Sequence, residues 1–245
     1  MEKLNPKVII FDLGSTLVDF PVNNWNEVSR ECSLVGRQHL CDNGCKLPDE
    51  GEFLEKFDDV RMELRELAIA THKEWTVVRA AEILLNRLDV DSPNGFAEKF
   101  FDAFYRTLEK HLYIYDDTID VLTRLKKRFA KIGLISNTIF PEKTHYHEFE
   151  RFGLKQFFDF TVFSSTFGLR KPHPNIFLEA SRLAETNPSD CVYIGDRFLE
   201  DVQGSQGVGM SAILKIVPDR EYPSDMPESL RKISSLSDLS EHLDI

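Results

Sequence analysis

Short unbroken apolar runs alternate along this chain with segments whose apolar residues recur at helical spacing. Val8 to Phe11 is continuous and β-branched at three of four positions, as a strand buried on both faces requires. Similar runs occur at Ile132 to Ile135, Phe160 to Phe163, Cys191 to Ile194 and Ala212 to Ile216. Between them, Thr118 to Phe129 places Ile119, Val121, Leu122 and Leu125 on one helical face and ends in Lys126, Lys127 and Arg128. Pro174 to Ala184 does the same with Ile176, Phe177, Ala180, Leu183 and Ala184, and Pro174 stands near the start, where a missing N–H costs nothing. Strands alternating with helices predict an α/β domain with a mostly parallel sheet and right-handed crossovers.

From about Asn24 to Leu112 the rhythm stops and the pattern is helical throughout: Trp25 to Val35, Glu52 to Ile69, Thr76 to Leu88 and Gly95 to Leu112. Asn43-Gly44 and Ser92-Pro93-Asn94-Gly95 act as breakers. Because the α/β alternation resumes after Tyr115, the expectation is an α/β core of residues 1–20 and 113–245, with an all-helical module of residues 21–112 inserted after the first strand and poised over the active edge of the sheet. The tail from Ile233 to Leu239 predicts a short terminal helix capped by Ser237 or Asp238.

Composition narrows the function. With 245 residues, 42% hydrophobic residues and 19 Phe, the chain can fill a large core. A formal net charge of −11 without a long basic run argues against nucleic acid or an anionic membrane as the main partner. Neither a secretory apolar segment nor an unbroken membrane-length run is present, and four cysteines suit a reducing compartment, so a cytoplasmic location is expected. Cys32, Cys41 and Cys45, with His39 among them, lack the paired spacing of a zinc knuckle and are expected to be ordinary thiols. Oligomeric state leaves no mark in the pattern.

Four stretches concentrate the candidate chemistry. The first strand runs into Asp12-Leu13-Gly14-Ser15-Thr16, where small residues let backbone amides converge on an anion. The next strand ends in Ser136-Asn137, offering a hydroxyl and neighbouring amides. Lys171 is a cation on a loop that Pro172 and Pro174 stiffen. Asp196 follows Gly195, whose missing side chain permits close approach of a substrate or metal, and Asp201 lies five residues on, where capping, metal binding and orienting Lys171 are all open to it. Strand ends of an open parallel sheet are where ligands bind, and two remote carboxylates that meet there need a cation or a shared proton.

In this order, the Asp-x-x-x-Thr segment, the Ser-Asn strand end, the Arg170-Lys171-Pro172 loop and the Gly-Asp-x-x-x-x-Asp segment resemble the four motifs of the haloacid dehalogenase-like hydrolases. The resemblance covers the whole core. It implies a Rossmann-like three-layer α/β domain with a helical cap between the first two motifs. It also implies that Asp12 is the nucleophile, that Ser136, Asn137 and Lys171 hold the transferring group, and that Asp12, the Gly14 carbonyl and Asp196 bind Mg2+. The chain departs from that family's phosphatases at Gly14, where they usually carry a general acid. Such assistance is typically worth about 10²–10⁴ in rate.

The leading expectation is a Mg2+-dependent phosphomonoester hydrolase for a small phosphorylated metabolite, favouring good leaving groups, with His39, His72 and His111 as substitute proton donors. Arg37, Arg61, Arg65 and Trp75 are candidate substrate-selecting residues. Three alternatives remain at this level: dehalogenation of a 2-haloacid, carbon–phosphorus cleavage through Lys46, Lys56 or Lys73, and a degenerate binding protein.

Overall fold

The computed structural model describes residues 2–20, 25–90, 95–218 and 220–245, and of Trp25 only the backbone. Asn24 and the breaker residues Ser92-Pro93-Asn94 lie outside the described residues. Two compact units partition the chain: Met1–Asp19 with Ile114–Ile245, and Phe20–Tyr113.

The first unit is built on six strands: β1 Val8–Phe11, β2 Lys131–Ser136, β3 Phe160–Phe163, β4 Cys191–Gly195, β5 Ser211–Lys215 and β6 Arg231–Ile233. They pair in the order β3-β2-β1-β4-β5-β6, and each pairing is parallel. β1 is central and fully buried, with Val8 opposite both Lys131 and Cys191 and Phe11 opposite both Leu134 and Ile194. Strand order reverses at β1: the chain first builds outward through β2 and β3, then crosses back to add β4, β5 and β6. Right-handed crossovers in opposite directions put the intervening helices on opposite faces, which gives three layers.

Helix Pro174–Ala184, which makes the return crossing, packs Ile176, Phe177, Ala180 and Ala184 against Val8, Ile10, Ile135 and Tyr193. The Phe177 and Tyr193 rings meet edge to face at 5.3 Å. Helix Thr118–Arg128 buries Val121, Leu122 and Leu125 completely. Leucine- and phenylalanine-sized side chains of this kind contribute about 1.5–3 kcal/mol each on full burial.

Among its described residues the second unit holds four α-helices: α1 Trp25–Asp42, α2 Glu50–Thr71, α3 Val77–Arg87 and α4 Phe96–Leu108. Asp49 caps α2 by accepting from the Gly51 and Glu52 amides, and Thr76 caps α3 through the Arg79 amide. Phe53, Phe57, Phe100 and Phe104 form its aromatic centre, with Phe57 and Phe100 edge to face at 5.3 Å. Asn43-Gly44 makes the turn after α1, Gly44 taking a φ of 94° that other residues resist.

The expectation for the tail holds in part. Arg231–Ile233 is a strand and Ser235 caps the turn Leu236–Asp238; the short terminal helix follows at Leu239–His242, with Asp238 at its N-cap position but making no side-chain capping hydrogen bond to it. Asp238 instead supplies the reciprocal half of the capping box, and the Ser237 hydroxyl donates to Asp117. Among the described residues no helix is long and apolar enough to cross a membrane.

Candidate active site

Parallel register carries the ends of β1, β2 and β4 to one edge, so Asp12, Ser136 and Asp196 arrive there together. The Asp12 amide prolongs the ladder by donating to the Ile194 carbonyl at 2.8 Å. Asp12, Asp196 and Asp201 then offer carboxylate oxygens that all lie within 4.8 Å of one another, and each residue is less than 10% exposed.

Lys171, 2% exposed, bridges two of these acids, Asp12 and Asp201. Its ammonium donates to Asp12 Oδ1 at 2.7 Å, Asp201 Oδ1 at 2.6 Å and the Tyr193 hydroxyl at 2.8 Å, with the Ile135 carbonyl at 3.3 Å. Burial by itself depresses a lysine, but here Asp12 and Asp201 outweigh it and hold Lys171 above its ordinary value. Burial pushes Asp201 up to about 6 even with Lys171 beside it, and pushes the Tyr193 phenol well above its usual range. Asp201 therefore orients Lys171 through one oxygen and accepts the Arg197 amide at 2.8 Å through the other.

Thr16 spans the first two acids, its hydroxyl 3.3 Å from Asp12 Oδ2 and 3.5 Å from Asp196 Oδ1. On the far side of Asp196, the Arg220 guanidinium lies against Oδ2 and donates to the main-chain carbonyl at 3.2 Å. Asp196 Oδ2 accepts no hydrogen bond of normal geometry although it is buried. Three carboxylates thus face two cations, Lys171 and Arg220, and a formal negative charge remains. A small hard cation bound through oxygens fits that donor set and that charge.

Asn137 joins two of the four motifs directly. Its Nδ2 donates to the Lys171 carbonyl at 3.0 Å and its Oδ1 accepts from the Lys171 amide at 2.7 Å. The side chain is a strut between loops, and Ser136 beside it is buried at the end of β2. At Gly195 a Cβ would fall 2.4 Å from Asp201 Cγ, so this glycine makes room for Asp201. Gly14 is different: a Cβ there meets nothing within 4 Å.

Ser15 takes a left-handed φ of 57°, and its surroundings explain how the turn is kept. Lys215 donates to the Ser15 carbonyl at 2.8 Å, the Tyr115 hydroxyl to the same carbonyl at 3.3 Å, and Arg220 reaches its hydroxyl at 3.4 Å. Lys215 also lies 3.6 Å over the Tyr115 ring. Burial lowers Lys215 to about 8.

Other sequence candidates fall in the helical unit. Arg37 donates to the Pro48 carbonyl, Arg61 to Ser29 and Asp58, and His111 faces Glu31 at 3.3 Å. His72 ends α2 in a left-handed conformation. Lys46, Lys56 and Lys73 are exposed or half-buried, without the apolar pocket that activates a Schiff-base lysine. Among the described residues, Cys32, Cys41, Cys45 and His39 form no metal-ligating group and all four cysteines are free. Thr16, Tyr193, Lys215 and Arg220 were not singled out from sequence. The first two lie inside motifs already read, whereas Lys215 gains meaning through Ser15, two hundred residues away, and Arg220 through Asp196 and Ser15.

The sequence model of the haloacid dehalogenase-like hydrolase family matches residues 46–215. The chain is 30% identical to the glyceraldehyde 3-phosphate phosphatase of Methanopyrus kandleri over 209 residues, 84% of this chain and 82% of that one. It is 29% identical to the enzyme of the same name from Pyrococcus furiosus, over 84% and 79% of the two chains. Among solved structures, a 2-haloacid dehalogenase from Pseudomonas syringae pv. Tomato superposes with a TM-score of 0.72 at 23% identity, covering 96% of this chain and 97% of that one. A HAD phosphatase from Thermococcus onnurineus superposes with a TM-score of 0.67 at 21% identity, covering 98% and 100%. Both likenesses are of fold. The ordered motifs, the three-layer sheet and the matched sequence together place this chain in the haloacid dehalogenase-like hydrolase family.

Proposed function

We propose that the protein is a Mg2+-dependent phosphatase that cleaves a small phosphorylated metabolite through an aspartyl-phosphate on Asp12. The observation that carries this reading is the convergence of Asp12, Asp196 and Asp201, with the Lys171 ammonium on Asp12 Oδ1 and Asp201 Oδ1. Glyceraldehyde 3-phosphate phosphatases among the similar sequences support a small sugar-like phosphate as substrate class.

Asp12 Oδ1 is committed to Lys171, while Oδ2 carries only the long contact from Thr16, so Oδ2 is the oxygen with lone pairs to spare. Attack by Oδ2 on phosphorus forms the O–P bond as the ester oxygen departs with its electron pair. Water then attacks the same phosphorus and restores the carboxylate. Lys171, kept charged by its two acids, offsets the charge on the phosphoryl oxygens together with the Ser136 hydroxyl and the turn amides. Asp12, Asp196 and the Gly14 carbonyl would hold the Mg2+, which neutralises phosphoryl oxygens. Asp201, engaged by Lys171 and the Arg197 amide, supports this set from behind.

Gly14 has no proton to give, so a leaving group that departs as a stable anion should be preferred. Turnover of an aryl phosphate should fall by at least about a thousandfold in Asp12→Asn and be lost with EDTA and restored by Mg2+. Full activity in that variant, or in metal-free protein, would refute the assignment. The buried acid cluster weighs against the haloacid and binding-protein alternatives.

A further inference from the structure

Behind the turn after β2 lies a hydrogen-bonded line that the chemistry above does not use. The Phe140 amide donates to Thr138 Oγ1 at 3.1 Å, Thr138 Oγ1 is 2.7 Å from His145 Nε2, and His145 Nδ1 is 2.8 Å from Glu148 Oε2. Thr138, His145 and Glu148 are all buried. His145 and Glu148 share one face of the helix Glu142–Phe152, three residues apart.

An ionised carboxylate only accepts, so Nδ1 of His145 carries the proton that faces Glu148. In the neutral imidazole Nε2 is then the acceptor, and Thr138 donates its hydroxyl proton to it. The imidazole also lies flat on the Phe163 ring, 4.8 Å between centroids and 15° between planes, which fixes its tilt. Ser164 closes the remaining valences of Thr138, accepting from its amide at 2.8 Å and donating to its carbonyl at 3.2 Å. Every main-chain and side-chain polar atom of Thr138 is therefore tied down.

Hydroxyl, imidazole and carboxylate in series also describe a nucleophilic triad, but burial withholds this one from any substrate. A buried polar network whose members are all paired rigidifies the structure around it. Its first member stands beside Asn137, whose side chain is already bridged to the Lys171 main chain, and two residues beyond Ser136.

We propose that His145 and Glu148 are positioning residues that act through Thr138 to set the Ser136–Asn137 turn against the transferring anionic group. The proposal rests on the phosphatase reading for the identity of that group. It predicts a loss of anion affinity rather than of chemistry. In the full chain, Thr138→Val and His145→Gln should each raise KM for an aryl phosphate and the calorimetric Kd for inorganic phosphate about tenfold, with kcat within about threefold of the parent. Thr138→Ser should restore both constants. Combining Thr138→Val with His145→Gln should cost no more than either alone, since the two act through one contact. Unchanged KM and Kd in the folded variants, or fully additive losses, overturn the relay.

If a variant fails to fold, nitrogen NMR of the parent protein decides: a proton on Nε2 of His145 instead of Nδ1 overturns it. Parent protein that binds phosphate without turning over the ester defeats the phosphatase reading, while the Kd ratios still decide the relay. Parent protein that binds no phosphate defeats both.

Discussion

Under the proposed phosphatase reading, Gly14 stands where an acid would shorten the path of a proton to the leaving group, and no atom lies within 4 Å of the Cβ it lacks. Its backbone is not in the left-handed region either, so nothing steric reserves the position for glycine. Gly14→Asp should therefore be accommodated. It is expected to raise kcat/KM on alkyl phosphates by about ten- to a hundredfold and to leave aryl phosphates nearly unchanged. Equal effects on both classes would show that proton delivery is not what the parent lacks. Lys215 supports a second residue-level test. Its folded value, about 8, lies below the ordinary 10.5 because burial disfavours the charge. Between those two values the unfolded chain binds the proton and the folded chain does not, so stability rises with pH across that window. The full span is worth at most about 3 kcal/mol. Urea midpoints of wild type and Lys215→Met, followed from pH 7 to 10.5, should diverge in favour of wild type above pH 8. Parallel curves would dismiss the shift.

Close packing governs at the scale of elements. In α1, a Cβ at Gly36 would fall 2.6 Å from the Phe100 ring on α4, so the two helices approach through this glycine. Replacing it with alanine gains about 1 kcal/mol of helix propensity but overpacks the contact by roughly 1–3 kcal/mol. The second effect should win: Gly36→Ala is expected to lower the denaturation midpoint, and a raised midpoint would show that Phe100 can swing aside. The same physics explains what the sequence revealed. β1, β2 and β4 were legible because strands covered on both faces need unbroken apolar runs. Arg231–Ile233 was not, since two of its three residues are charged and it lies at the sheet edge. Asp12, Ser136, Lys171 and Asp196 could be picked out because each ends a strand or stands in a stiff loop. His145 and Glu148 could not: a histidine and a glutamate three apart look like any solvated helix face until Phe163 and Thr138 cover them.

Charge left over at the strand ends has a consequence for the entire protein. Asp12, Asp196 and Asp201 remain in excess over their two cationic neighbours, so a bound divalent cation should stabilise the folded state by mass action. At a hundred times its Kd, Mg2+ should add about 2.7 kcal/mol, visible as a rise in Tm that saturates with concentration. Asp196→Asn should abolish the rise. A Tm indifferent to Mg2+ in the wild type would remove the cation from the account.

The central position of β1 also shapes how a ribosome must deliver this molecule. The strand precedes both of its neighbours, which begin at Lys131 and Cys191, so its four apolar residues wait unpaired until at least Lys131 has been made. During that interval Phe20–Tyr113 can condense on its own aromatic centre. Val8 to Phe11 is then the segment most in need of a chaperone's protection, and the acidic cluster can assemble only after Asp196 and Asp201 have emerged.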